Sequence, residues 1–153
     1  MEKTRSETLE EDLKYILEEA RVVIPGVQTL LGFQLIAVFN QLFPKELSPA
    51  MQIWHLVSTA LTSLAMILIM SPASYHRMAG HTVSRKLVDW SSRFLLAGMC
   101  TLAVAICIDV ALVAAVILKD MGMAGALSSV LFALFIVQWL ILPRITLGKG
   151  GKS

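Results

Sequence analysis

The chain has 153 residues, of which 56% are hydrophobic, and its formal net charge at pH 7 is +2. Soluble domains are only roughly 45–50% apolar, and here the apolar residues gather into four blocks of about twenty, the length of a helix that crosses a bilayer. The basic residues form no long tract, which excludes a nucleic-acid-binding protein. We therefore predict a single all-α domain over residues 1–153, a polytopic membrane protein with four transmembrane helices and the lipid bilayer as its surroundings.

Residues 8–22 predict a cytoplasmic amphipathic helix that precedes the membrane helices. Leu9 and Leu13 lie on one apolar stripe, and Thr8 and Glu11 have the spacing of a capping box at a helix start. The polar face is acidic, whereas helices that lie on anionic membranes are usually basic on that face. We therefore expect the stripe to pack on the protein's own cytoplasmic loop or on a protein partner, and not on lipid.

Prolines and short polar turns delimit the four membrane helices. Pro44 ends the first helix, Pro49 suits the first turn of the second, and Pro72 ends the second. The polar stretch 71–92 is then the one long loop between membrane segments. The predicted transmembrane helices occupy residues 23–43, 50–70, 94–118 and 122–142, and a glycine-rich flexible tail occupies residues 147–153.

Lysine and arginine in short loops indicate the orientation of membrane helices, because the cytoplasmic side carries the excess. With the N-terminus inside, eleven of the 13 Lys and Arg residues fall on the cytoplasmic side. Lys45 and Lys119 are the two that fall on the far side. We therefore expect both the N-terminus and the C-terminus in the cytoplasm.

Polar residues within the membrane segments are the first candidates for a functional site. Asp109 lies in the third helix, where an ionised side chain costs about 3 kcal/mol unless it is paired or hydrated. His55 stands at a similar depth on the second helix, Thr59 and Thr62 continue its polar stripe, and Gln34 lies on the first helix. One hypothesis is a proton or ion pathway in which His55 and Asp109 share a proton. The alternative is a set of static hydrogen bonds between helices.

A second set of candidates lies at the other ends of the first two helices. Glu19 and Arg21 flank the first helix, and Tyr75, His76 and Arg77 follow the second, so the short turn between these helices makes the two groups neighbours. One interpretation is a salt-bridged clasp that joins the helix ends. The other is a binding site for an anion or a lipid headgroup.

No pattern in the sequence indicates a catalytic site. No Cys or His cluster has zinc spacing, no glycine-rich phosphate loop is present, and no serine stands in a nucleophile elbow. We therefore expect a protein that is not an enzyme and that uses no metal and no cofactor.

The fourth helix carries small residues at every fourth position. Gly125, Ser129 and Ala133 would let another backbone approach closely, as small residues do in membrane helix pairs. The sequence leaves open whether this face packs within the chain or forms a homo-oligomer.

Two segments of the chain stand out as distinctive motifs. They are residues 19–28 (EARVVIPGVQ), which continue to residues 32–34 (GFQ), and residues 71–77 (SPASYHR). In both segments the chain resembles a bacterial family called domain of unknown function 6328. Together with the four-helix layout, the resemblance covers most of the chain. It implies a small multi-pass protein of the bacterial inner membrane and supplies no activity. The residues that it singles out are Arg21, Gln28, Tyr75, His76 and Arg77.

Two functional hypotheses from different classes follow from these features. The first is proton-coupled transport or conduction of an ion or small solute, with His55 and Asp109 as the outer site and Arg21, His76 and Arg77 as the inner site. The second is a non-transporting accessory protein, whose acidic N-terminal helix and basic loop dock a protein partner. Only the first predicts flux in a reconstituted membrane.

The charge asymmetry generates a testable topology. We expect reporter fusions at Lys45 and Lys119 to behave as periplasmic, and fusions after Arg85 and at the C-terminus to behave as cytoplasmic. Alkaline phosphatase and green fluorescent protein fused at these positions measure the two locations. A periplasmic C-terminus would contradict the four-helix topology, and mixed signals at every position would indicate dual topology.

Overall fold

The computed structural model describes residues 2–80, 83–142 and 144, with the side chains of residues 2–7 and 140 outside the description. The described residues are almost entirely helical and contain no strand, which confirms the predicted all-α fold. Four helices are long and apolar enough to cross a membrane. The helices are α1 (Glu2–Ala37), α2 (Phe43–Glu46), α3 (Pro49–Met78), α4 (Arg85–Leu118) and α5 (Met121–Ile136), and a π-helical turn (Val137–Ile141) follows α5.

Helix α1 joins the predicted amphipathic helix and the first membrane helix into one element. It begins at Glu2, so Thr8 lies inside it and does not cap a helix start, and it runs through Pro25 without a break. No glycine or proline stands between residues 8 and 22 to end a helix there. Proline inside a membrane helix is tolerated where neighbouring groups compensate for its missing N–H.

The apolar stripe of residues 8–22 is covered by the protein itself. Leu9 and Leu13 form a buried cluster with Val88 of α4, and Leu87 packs against it. The stripe therefore lies on α4 of the same chain, next to the turn that precedes α4.

The turn after α1 comes earlier than Pro44 predicts. Helix α1 ends at Ala37, and the Asn40 side chain accepts a hydrogen bond from the Leu42 amide at 3.0 Å. This local bond competes with the helical bond of the same amide, as Asn side chains do in turns. Pro44 lies in the first turn of the short helix α2 instead of ending α1.

Helix α3 begins as expected and ends later. Ser48 caps it by accepting from the Met51 amide at 3.4 Å, with Pro49 in the first turn. The helix then passes through Pro72 to Met78, and Pro72 is buried against the bundle.

The predicted long loop over residues 71–92 is therefore wrong. Its first part is helical in α3, and α4 begins at Arg85, where Ser84 accepts from the Leu87 amide at 3.3 Å. His81 and Thr82 lie outside the described residues, as does the predicted flexible tail 147–153.

A tight turn joins α4 to α5. Lys119 adopts a left-handed backbone with φ of 53°, which ends α4. The Asp120 carboxylate then accepts from the amides of Gly122 at 2.7 Å and Met123 at 3.2 Å, and so caps α5.

Helices α3 and α4 share the largest interface of the fold, and Gly98 is its closest point. A Cβ atom built on Gly98 would lie 2.6 Å from Ile69 Cγ1 and 3.1 Å from the Ala65 carbonyl oxygen. Any side chain at this position would push α4 away from α3. Ile69 itself belongs to a buried cluster with Val27 of α1 and Leu95 of α4.

The outer faces of the helices are apolar. Val22 is 81% exposed and Phe39 is 85% exposed, and large aliphatic side chains cover the outer faces of α3, α4 and α5. A soluble domain does not expose so much continuous apolar surface. Together with the four long apolar helices, this surface indicates a protein of the membrane.

The Gly98 contact gives a test of the packing. We expect Gly98→Ala to lower the free energy of unfolding in detergent by about 1–3 kcal/mol, because an added methyl overpacks the α3–α4 interface. Gly32→Ala is the matched control, since a Cβ at Gly32 would meet none of the described atoms within 4 Å. The control should gain up to about 1 kcal/mol from helix propensity. Equal stability of the two variants in chemical unfolding would contradict the close contact.

Candidate functional site

The Gln34 side chain joins three helices inside the bundle. This residue of α1 is 4% exposed. Its Nε2 group donates one hydrogen bond to Ser58 Oγ of α3 at 3.0 Å and another to Asp109 Oδ2 of α4 at 2.6 Å. Both amide hydrogens are used, so a single side chain ties α1 to α3 and to α4.

Ser58 is the member of this network that the sequence analysis missed. It is fully buried, accepts from Gln34, and donates to the Ala105 carbonyl of α4 at 3.0 Å. A signal was present, because Ser58 follows His55 by three residues and precedes Thr62 by four, which places it on the same helix face. Its short side chain suits a place where α3 and α4 lie close together.

His55 enters the site through the backbone of Gln34. Its Nε2 group lies 2.9 Å from the Gln34 carbonyl oxygen, so Nε2 carries the hydrogen and donates. That carbonyl belongs to the last turn of α1, where the helix dipole is negative. The edge of the imidazole also contacts the Phe43 ring, with centroids 5.2 Å apart.

No hydrogen bond joins His55 directly to Asp109 among the residues that the structure describes. Gln34 connects them instead, with its backbone carbonyl bound to His55 and its side-chain amide bound to Asp109. His55 and Asp109 were predicted to lie at a similar depth in the membrane, and both line one cavity.

Thr59 and Thr62 contribute less directly. Their hydroxyl groups donate to carbonyls of their own helix, those of His55 at 2.9 Å and Ser58 at 3.0 Å. Thr62 is fully buried, and neither threonine lines the cavity that His55 and Asp109 share. Their side chains satisfy the backbone of α3 in this arrangement.

The His55–Asp109 cavity lies between α1, α3 and α4 and has a volume of about 390 Å³. Its polar lining residues are Gln34, His55 and Asp109, and the remainder are apolar side chains such as Phe33 and Leu112. The Oε1 atom of Gln34 is buried and has no hydrogen-bond partner in the described part of the chain. An acceptor without a donor therefore stands beside a carboxylate.

The charge of Asp109 is not balanced by a neighbouring cation. The ion pairs of the described residues join Lys14 to Glu18 at 3.9 Å and Arg85 to Asp89 at 3.5 Å, each within one helix. A carboxylate in a membrane segment needs a proton, a cation or water to offset its cost. Asp109 is half-buried and lines the cavity.

The second set of candidates comes together near the middle of α1. Arg21 of α1 and His76 and Arg77 of α3 line a separate cavity of about 490 Å³, the Arg21–Arg77 cavity. Arg21 lies about 20 Å from Gln34 along the axis of α1, from 13 residues at the helical rise. The two cavities are therefore well separated along the same helix.

The other residues of that set lie apart from the Arg21–Arg77 cavity. Glu19 is exposed, and none of the described ion pairs joins it to α3, so the predicted salt-bridged clasp is not formed. Gln28 is exposed and lines neither cavity. Tyr75 stacks on Phe94 of α4, with ring centroids 5.8 Å apart.

The predicted stripe of small residues on α5 does not form the contact of α5 with α4. Ala124 is buried against α4, and Ser128 donates to the Cys107 carbonyl at 2.7 Å, so these positions form the interface. Gly125, Ser129 and Ala133 stay exposed beside it.

The described residues include no group of three His, Cys, Asp or Glu side chains that could hold a metal ion. No match was found among curated proteins or among solved structures. A family does match the sequence over residues 2–143, a range that includes both cavities. The chain belongs to the family of unknown function DUF6328.

Proposed function

We propose that this protein moves a small solute or ion, most simply a cation, across the membrane in a proton-coupled manner. Asp109 is the group that binds the proton or the cation. The observation that carries the proposal is its carboxylate, held by Gln34, half-buried at the wall of a cavity, and without an ion-pair partner among the described residues. Ionisable groups in membrane segments mark pathways more often than they serve as scaffolding.

The Gln34 network suits a group that changes its protonation state. With Asp109 ionised, Gln34 Nε2 donates to it, as in the structure. With Asp109 protonated, a half-turn of the carboxamide would present Oε1 to the carboxyl hydrogen, and the Ser58 hydroxyl could also turn to donate to Oε1. In both states Gln34 keeps a hydrogen bond to Asp109, so this contact between α1 and α4 is compatible with a change of protonation.

His55 supplies the second titratable group of the same cavity. Histidine normally changes its charge between about pH 5 and 8. Its hydrogen bond to the Gln34 carbonyl holds the ring at the wall of the cavity that Asp109 also lines. A charged His55 would compete with a cation for the negative charge of Asp109. Through this competition, proton binding at His55 would be coupled to cation binding at Asp109.

We place the protein in the bacterial inner membrane with both termini in the cytoplasm. The positive charge bias supports this orientation. In it, the Arg21–Arg77 cavity faces the cytoplasmic side and the His55–Asp109 cavity faces the periplasmic side.

The second candidate function is a non-transporting accessory protein. It is favoured by the N-terminal part of α1, whose apolar stripe is covered by α4 while Glu10, Glu11 and Glu18 are exposed. Such an acidic face fits a basic protein partner. The exposed small residues of α5 would serve a homo-oligomer under either function.

The transport proposal predicts loss of function without loss of fold. Asp109→Asn keeps the side-chain shape, His55→Gln keeps an N–H donor, and both remove the titration. Both should therefore abolish pH-dependent flux while circular dichroism and gel filtration stay unchanged. Proteoliposomes assayed with a panel of cations, with and without a proton gradient, measure the flux. Asp89→Asn is the matched control, because it makes the same change at an exposed position of α4.

Two outcomes would contradict the proposal. Flux that survives in Asp109→Asn would remove Asp109 from the pathway. A parent protein without flux and without any structural response between about pH 5 and 8, the range in which histidine changes charge, would leave the accessory function ahead.

A further inference from the structure

The Arg21–Arg77 cavity has a different chemistry from the His55–Asp109 cavity. Its polar side chains are Arg21, His76 and Arg77, which are cationic or can become so, and no carboxylate lines it. Arg21 and Arg77 are exposed, and His76 is half-buried. The cavity therefore presents positive charge from two helices to one space.

This positive charge is not neutralised within the described part of the protein. Neither Arg21 nor Arg77 takes part in an ion pair there, and the neighbouring Glu18 is instead within 3.9 Å of Lys14. Glu19 is adjacent in sequence but does not line the cavity. Two guanidinium groups at one cavity repel each other, and the attraction of each group to an anion between them would offset this repulsion.

The floor of the same cavity is apolar. The wall beneath the arginines is formed by Ala20 and Ile24 of α1 and by Ile69, Met70 and Ala73 of α3. Beyond Arg21 the chain has no Asp, Glu, Lys or Arg until Lys45, and residues 47–76 contain none either. The arginines thus stand at the boundary where both helices become apolar, which is the level of the lipid headgroups in a membrane.

We infer that the Arg21–Arg77 cavity binds the phosphate group of an anionic phospholipid. The guanidinium groups of Arg21 and Arg77 donate to the phosphate oxygens, and an acyl chain lies along Ile24 and Met70. Arginine binds phosphate through paired, charge-assisted hydrogen bonds. Basic pockets between membrane helices are suited to such headgroups. This inference does not depend on whether the protein transports a solute.

A lipid fits this site better than a free phosphate ion does. The cavity of about 490 Å³ is far larger than an ion requires, and the apolar floor offers nothing to a small hydrated anion. A phospholipid matches both parts, the charged rim and the apolar floor. A phospholipid and a free phosphate ion both carry the phosphate group, and the apolar floor favours the phospholipid.

The test is a titration of the full chain in a nonionic detergent, followed by the shift of its thermal unfolding temperature. The three probes are dihexanoyl-phosphatidylglycerol, dihexanoyl-phosphatidylcholine and inorganic phosphate. The parent should bind the phosphatidylglycerol at least about tenfold more tightly than either other probe. Arg21→Gln with Arg77→Gln should weaken this binding by at least about tenfold, since hydrogen bonds to charged groups contribute about that much each.

A matched control removes the same amount of charge elsewhere. Arg85→Gln with Arg93→Gln changes two exposed arginines of α4 that do not line the cavity, and should alter the affinity less than twofold. Arg21→Lys with Arg77→Lys keeps the charge and removes the planar fork, so its affinity should fall between those of the parent and the Gln variant. The Lys variant also keeps the test decisive if the Gln variant fails to fold.

The outcomes separate the alternatives. Equal affinity of the parent for phosphatidylglycerol and phosphatidylcholine would overturn the inference, as would an equal loss in the control. Tight binding of inorganic phosphate with the same arginine dependence would confirm the phosphate site and overturn its assignment to a lipid.

Discussion

The two hydrogen bonds of the Gln34 amide are the interaction on which the rest of the arrangement depends. Between apolar helices in a membrane the hydrophobic effect gives little drive to association, so polar bonds and close packing determine which faces meet. Gln34 supplies such bonds to Ser58 and to Asp109 at once. Its backbone carbonyl also receives His55. Together with the apolar clusters around Val27 and Leu13, this residue sets the position of α1 against α3 and α4, and Gln34 itself forms part of the cavity wall.

Close packing of α4 on α3 determines the level at which those polar groups meet. Gly98 allows the backbones to touch near Ala65 and Ile69, and Ser58 binds the Ala105 carbonyl further along the same interface. Because helices are stiff, these two contacts together set the register of α4. Two of the spaces beside this interface are lined by α1, and one of them contains a carboxylate whereas the other is basic.

Much of the fold was predictable because apolar block length is a local property of the chain. Four blocks of bilayer length imply four helices whatever their neighbours do, and the caps at Ser48 and Asp120 lie beside the turns that they form. The passage of α3 through Pro72 was not predictable in the same way. Proline has no N–H to continue a helix, but membrane helices tolerate it where neighbouring groups satisfy the carbonyl that it frees, and the local sequence does not contain those neighbours.

The candidate site was likewise predictable where its features are local to one helix and not where they depend on contacts between helices. The sequence by itself determined that Gln34, His55 and Asp109 are polar groups within apolar segments, because hydropathy and helical spacing are read along one helix. Only the tertiary structure decided that Gln34 connects His55 to Asp109, that Ser58 joins them, and that Gly98 is the point of closest approach. The physical reason is that a hydrogen bond between helices depends on their relative rotation and depth. Those quantities come from the packing of whole surfaces, which the periodicity of a single helix does not contain.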